Sequence, residues 1–251
     1  MLVLLPPSEG KSPPRRGRPL DLERLSFPQL TATRNRVIDA VDATSQAPGA
    51  LEILGVPTTL ADEIAHNTRL RRAPTAPAGA IYSGVLYDAL SLATLDTAAR
   101  RRANRWLVVG SALFGAVRLV DRIPAYRLSM KVNLPGIGPL AGVWRDPLAE
   151  VLPALAGRGL VVDCRSSTYV AAWVPRGALA ARWVQVRVPG ATHLAKHTRG
   201  LVTRHLCEAG VDTRTPHRLA AVVAEAFDTH LEPPARPGLP WVLDVATRPT
   251  T

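Results

Sequence analysis

Apolar and polar positions alternate between three rhythms along this chain, and each rhythm predicts a type of element. Short continuous apolar runs mark strands buried on both faces: Leu2–Leu5, Leu107–Val109 and Gly159–Cys164. The first is stopped by Pro6-Pro7 and reads as an opening strand, being too short and too poor in basic residues for a signal peptide. Strict alternation over Arg182–Val188 predicts an antiparallel strand, and Trp241–Leu243 a short one near the end. Ala80–Tyr87 reads as a strand running into a glycine turn, followed by a helix to about Arg102. Helical spacing appears at 28–47 (Leu30, Val37, Ile38 and Val41), near 147–156, from Lys196 to His205, and at 217–230.

Between these elements, residues 13–27 are rich in Pro and Arg and predict irregular chain, as does the Pro-rich tail 233–251. Leu51–Asn67, with Gly55 and Pro57 between two helical patterns, has the form of a helix-hairpin-helix, an element at about 48–70 whose turn amides can face a DNA phosphate. An ordinary pair of antiparallel helices fits equally well. Leu134–Ala141, with its Pro-Gly-Ile-Gly core, resembles such a hairpin by letter but has no helix before it, and is read as a loop between strands. No repeat or domain boundary appears, so the expectation is one α/β domain over 1–251, with a central mixed sheet and flanking helices.

Composition sharpens the functional picture. A net charge of +11 favours polyanionic partners, nucleic acid first. Of the 31 basic residues, 28 are arginines and only Lys11, Lys131 and Lys196 are lysines. In so Arg-biased a chain a lysine is the more informative cation, because it offers a compact ammonium or a tunable amine that Arg cannot supply. Mean hydropathy near zero, with no apolar run of about 20 residues, argues against a membrane span and for a soluble, globular protein. Two cysteines, Cys164 and Cys207, make neither a disulfide framework nor a zinc set and read as reduced thiols. His193, His197, His205 and His217 have no metal-like spacing with carboxylates, and no metal or other cofactor is expected. No G-x-S-x-G elbow is present.

Candidate chemistry gathers at predicted strand ends: Ser8 to Lys11, Tyr82 to Gly84, Ser111, and Ser166 to Tyr169. A basic helix face follows at Lys196, Arg199 and Thr203. The central stretch Val108–Leu134 contains a strand, a Gly/Ser turn and the arginines Arg118 and Arg127; its plain alternative is strand, turn and helix in the core.

Taken in order, Leu2–Ser8 with Lys11, Tyr82-Ser83-Gly84, Ser111–Arg118 with Asp121, Pro124–Leu128 with Met130, Trp144, Ser166–Tyr169 and Lys196–Arg204 resemble the peroxide stress protein YaaA family. The resemblance implies a cytoplasmic protein that limits oxidative damage to DNA, partly by lowering free iron. It also implies a mixed α/β fold with a positively charged cleft and a helix-hairpin-helix for duplex DNA. Two departures stand out: Ser129 occupies a position where the family often has an acid, and the first loop reads Pro-Ser-Glu-Gly-Lys, two residues longer than usual.

Two functions remain open at this level. A monomeric DNA-binding stress protein would use Ser8, Lys11, Gly55, Tyr82, Ser111, Arg118, Arg127, Ser166, Lys196, Arg199 and Arg204 against phosphates. An enzyme on a nucleobase, nucleotide or other small anionic ligand would use Lys11 and Lys196 to hold an anion or supply an amine. Tyr82 and Tyr126 would then position a ring, and Glu9 or His197 would move protons. The two are separated spatially: one enclosed pocket against an open groove.

Overall fold

A computed structural model describes residues 1–190 and 192–248, with the side chains of Thr192 and His193 outside the description. The metal candidate His193 and the last three residues of the tail therefore lie outside the described residues. Seven strands form the main sheet: β1 (Leu2–Leu5), β2 (Leu107–Ser111), β3 (Gly115–Arg118), β4 (Val161–Asp163), β5 (Trp183–Arg187), β6 (Phe227–Glu232) and β7 (Trp241–Thr247). Their spatial order is β6-β7-β5-β4-β1-β2-β3. The interior strands β2, β1, β4, β5 and β7 run parallel, and an antiparallel partner closes each edge, β3 on β2 and β6 on β7. The sheet is mixed, as expected.

The all-apolar runs of β1, β2 and β4 have the physical cause that parallel strands covered on both faces require: every residue of β1 is buried. Helix α1 (Thr31–Gln46) turns Val37, Ile38 and Val41 inward, and Leu30, just before it, is buried with them. In the middle of that apolar stripe Arg34 is fully buried; its Nε donates to Phe114 O (3.1 Å) and its Nη2 to Ser26 O and Ala116 O. It thereby ties the β2–β3 hairpin to the loop at Ser26. The segment 13–27 is irregular apart from a single 3-10 turn at Leu22–Arg24, but Leu22, Leu25 and Phe27 anchor its second half in the core.

Several sequence expectations are corrected. Ala80–Tyr87 is not a strand: Ala78–Ile81 is a one-turn helix held by Ala78 N–H to Asp121 O, and Tyr82 only bridges Lys11. The helix that follows is broken into α4 (Val85–Leu90) and α5 (Thr97–Trp106), because Ser91 adopts a left-handed φ of 45°. The alternating strand β5 pairs parallel with both neighbours; its alternation records one exposed face, not strand direction. The helix read at 217–230 stops at Val223, and Phe227–Glu232 extends as an edge strand along β7 instead. There a six-residue ladder outweighs a weak local helical period. Past Gly110-Ser111 the chain also returns as strand β3, not as the helix of the plain reading.

The remaining expectations follow the residues. Asn133–Leu134 and Gly138–Pro139 pair antiparallel, so the Pro-Gly-Ile-Gly segment is a turn between strands. A 17-residue helix, Leu140–Ala156, begins earlier than its apolar period suggests. Helix α6 (Thr192–Ala209) packs on α4 where Gly200 meets Leu86; a Cβ there would collide with the Leu86 carbonyl oxygen. Among the described residues no helix is long and apolar enough to cross a membrane.

Candidate functional site

Because β1, β2 and β4 are adjacent and parallel, their C-terminal ends leave the sheet on one side. The polar segments that follow them meet there, as α/β topology places ligands. The loop after β1 is clamped in place: Lys11 bridges Tyr82, Ser12 N–H donates to Ile81 O (2.9 Å), and Ser83 N–H donates to Ser8 Oγ (3.1 Å). The segment after β4 forms a one-turn helix, Ser167–Val170, with Ser166 exposed at its start. Between these segments lies a cavity of about 560 Å³. Leu54, Val56 and Leu60 from the 51–67 segment, with Val85 and Leu86 from α4, form its apolar wall.

The polar lining is strongly one-signed. Lys11, Arg127, Lys131, Lys196 and Arg199 face the cavity against a single acid, Glu9. The three lysines of the chain are thus brought to one place from three separate segments. Among the described residues, none of them lies within salt-bridge distance of a carboxylate. Lys131 and Lys196 are exposed, whereas Lys11 reaches inward. Its Nζ donates to Ser8 O (2.8 Å) and Glu9 O (3.4 Å) and sits 4.2 Å from the Tyr126 ring centroid and 5.7 Å from that of Tyr82. Removal from water, reinforced by the Arg127 guanidinium and opposed by Glu63 and Glu9, lowers its pKa to about 7.

Beneath Lys11 three hydroxyls form a dry chain. Tyr126 Oη lies 3.0 Å from Tyr82 Oη and 2.8 Å from Ser111 Oγ, which accepts the Phe114 N–H. Tyr82, Tyr126 and Ser111 are buried, and burial raises both phenols well above their ordinary pKa. These three support the floor rather than line the cavity. Arg127 spans the mouth, paired with Glu63 (3.1 Å) and, at 4.0 Å, with the exposed Glu9 carboxylate. Asn67 fixes its backbone, accepting the Arg127 N–H (2.9 Å) and donating to the Arg127 carbonyl (2.8 Å).

Five sequence candidates are placed elsewhere or already engaged. Arg118 donates to the Asn104 and Arg105 carbonyls and stacks on Phe27, capping the end of α5. Arg204 holds the Leu90 and Ser91 carbonyls and pairs with Glu208, tying α6 to α4. Both arginines satisfy orphaned helix-end carbonyls, a structural use of positive charge. Gly55 lines the cavity between α2 (Ala50–Leu54) and α3 (Ala61–Ala65), at a φ of 62° that favours glycine. Its amide and that of Val56, however, already donate to Glu52 O and Leu51 O, so neither is free for a phosphate. Thr203, expected on the basic face, is buried against Cys164, and His197 is exposed outside the lining.

Tyr169, from the strand-end segment Ser166–Tyr169, also lines the cavity, as do Lys131 and Ser129, to which the sequence assigns no site role. For Lys131 the signal was available, since it is one of three lysines. A larger concavity of about 1270 Å³ under Gly17–Leu25 contains Asp121 alone of the motif residues and mixes it, Asp21 and Glu23 with its arginines. Among the described residues no three His, Cys, Asp or Glu side chains gather as a metal site; His205 contacts Val222 O and His217 packs on Trp241. Burial pushes the thiols of Cys164 and Cys207 up to about 12, so both are poorly nucleophilic.

Comparison with known proteins places this arrangement in a family. The sequence model described as "Peroxide stress protein YaaA" matches residues 1–232. A UPF0246 protein of Streptomyces coelicolor is 50% identical over 254 residues, covering 98% of each chain. A UPF0246 protein of Corynebacterium efficiens is 42% identical over 235 residues, 90% of this chain and 93% of its own. With its strand-end loops, floor tyrosines and cation-lined cavity all inside the matched span, the chain belongs to the peroxide stress protein YaaA family.

Proposed function

We propose that this chain acts in the peroxide stress response by binding duplex DNA through phosphate contacts at the mouth of the cation-lined cavity. The carrying observation is that all three lysines of an arginine-rich chain, with Arg127 and Arg199, face one cavity opposed by a single acid. Compact ammonium groups suit phosphate oxygens as point charges, and interactions of this kind hold DNA without reading its sequence. The cations carry this reading; the hairpin turn supplies a wall rather than amides. The cavity beneath the mouth is large enough for one nucleotide unit, within the roughly 300–1,000 Å³ common to ligand pockets.

The enclosure of the strand-end residues also favours a second reading, an enzyme that takes a small phosphorylated or otherwise anionic ligand. Duplex binding at two salt concentrations, by the wild type and by Lys11→Ala with Lys196→Ala, separates the two. Losing the exposed Lys196–phosphate interaction should weaken binding about 8-fold near 0.1 M salt and flatten the salt slope by about 0.9, with Lys11, its pKa lowered to about 7, adding a smaller loss in the double variant. Steep salt dependence that ignores both lysines would move DNA to another surface. Absence of binding at low salt would leave the small-ligand enzyme.

A further inference from the structure

Phosphate binding accounts for the exposed Lys131 and Lys196 but not for the position of Lys11. A phosphate-holding ammonium gains most when it is charged and reaches the ligand through water or the rim. Lys11 is instead drawn inward onto a tyrosine face, donates to two backbone carbonyls, and has no carboxylate partner among the described residues. Arg127, next to it, takes up both nearby acids, Glu63 and Glu9. The site therefore pairs a cationic rim with a primary amine set into an aromatic floor, and that combination suits a ligand with a phosphate at one end and an electrophilic carbon at the other.

We propose that Lys11 Nζ is an amine nucleophile that forms an imine with the carbonyl carbon of a phosphate-bearing aldehyde held in this cavity. The inference rests on the reading that the rim cations hold phosphate. In the step, the nitrogen lone pair forms the N–C bond while the carbonyl π pair moves to oxygen. Both N–H protons of the neutral amine pass to that oxygen, which leaves as water, and a C=N bond remains. Burial against the Tyr82 and Tyr126 rings and the Arg127 guanidinium bias Lys11 toward the reactive form, while cation–π contact with those rings, Glu63 and Glu9 act against it. An arginine at this position could not perform the step, and the exposed lysines of the rim remain hydrated.

The aldehyde could belong to the ring-opened sugar of an abasic site in DNA or to a free sugar phosphate, and two probes distinguish them. Wild-type protein is incubated with cyanoborohydride and either an oligonucleotide duplex containing one abasic site or glyceraldehyde 3-phosphate, and the adduct is located by peptide mass mapping. The expected result is one adduct, on Lys11, lost in Lys11→Arg, with a rate that rises with pH about a midpoint near 7. The probe that labels identifies the source of the aldehyde. An adduct on Lys131 or Lys196, equal labelling of all three lysines, or no adduct from either probe would overturn the proposal. Gel-shift binding of intact duplex, measured on the same wild-type sample, keeps the two readings apart. Salt-steep DNA binding without an adduct refutes the amine chemistry alone, and absent DNA binding refutes the DNA reading alone.

Discussion

The cavity at one side of the sheet, with its half-buried Arg127 and Arg199, and the strand edge formed by β5, β7 and β6, with its exposed Arg187 and Arg248, use positive charge in opposite ways. At the edge, Arg187 pairs with Asp244, its direct cross-strand neighbour, and with Glu232 at 2.9 Å, while Arg248 pairs with Asp228 at 3.3 Å. Charge there is neutralised where it stands. Deeper in the sheet the same logic holds: Arg165 forms two hydrogen bonds to the buried Asp163 carboxylate, which also accepts the Trp183 Nε1–H. At the cavity five cations line a wall with one acid, and of them only Arg127 is paired, with Glu63 and Glu9. A net charge of +11 therefore says little by itself, because much of the arginine is consumed in holding the fold together.

Substitutions that exchange these roles should break or sharpen the contrast. The largest effect belongs to the neutralised interior. Asp163→Ala leaves Arg165 buried without its partner and should cost about 3–5 kcal/mol of unfolding free energy, measured by urea titration. If the cost is under about 1 kcal/mol, Arg165 has another outlet and is not a structural cation.

Next comes the cavity floor. The folded state lowers the Lys11 pKa from 10.5 to about 7, so between those values the unfolded chain binds more protons than the folded one. Unfolding free energy should accordingly rise with pH across that window. The penalty is fully present below about 7, where folded and unfolded chains are both protonated. Lys11→Met should stabilise the protein at pH 7 by about 1–2 kcal/mol, since it removes a buried ammonium that has no carboxylate partner among the described residues, while flattening the pH dependence. A variant no more stable than the wild type at pH 7 would mean that the ammonium is better solvated than its position on Tyr126 suggests.

The smallest effect is expected at the edge. Arg187→Ala removes two ion pairs at the surface, to Asp244 and Glu232, and it should leave the melting temperature nearly unchanged and DNA affinity within about twofold. A loss of DNA binding comparable to that of the lysine pair would place nucleic acid on the edge and undo the distinction between the two regions.

Which parts of this were legible in sequence follows from the range over which each signal acts. The buried strands β1, β2 and β4 were readable because continuous apolar runs leave few other options. The strand-end polar loops were readable as site candidates for the same reason, as their position is fixed by the strand before them. The failures lay where a partner decides. Phe227–Glu232 has a passable helical period but becomes a strand because β7 offers it a ladder. Arg118 and Arg204 sit inside specific-looking motifs, and nothing local shows that helix-end carbonyls will claim them.

The sequence by itself determined the α/β class, the apolar strands of the core, and the scarcity of lysine that made three positions informative. Only the tertiary structure decided that these lysines meet, since they arrive from a loop after β1, a segment before the Asn133–Gly138 turn, and helix α6. It also decided that Lys11 rests on a tyrosine floor while two arginines of equal formal charge hold helix ends. The physical reason is that charge is a property of one residue, whereas hydration and pairing belong to its surroundings, and those are assembled from positions far apart in the chain.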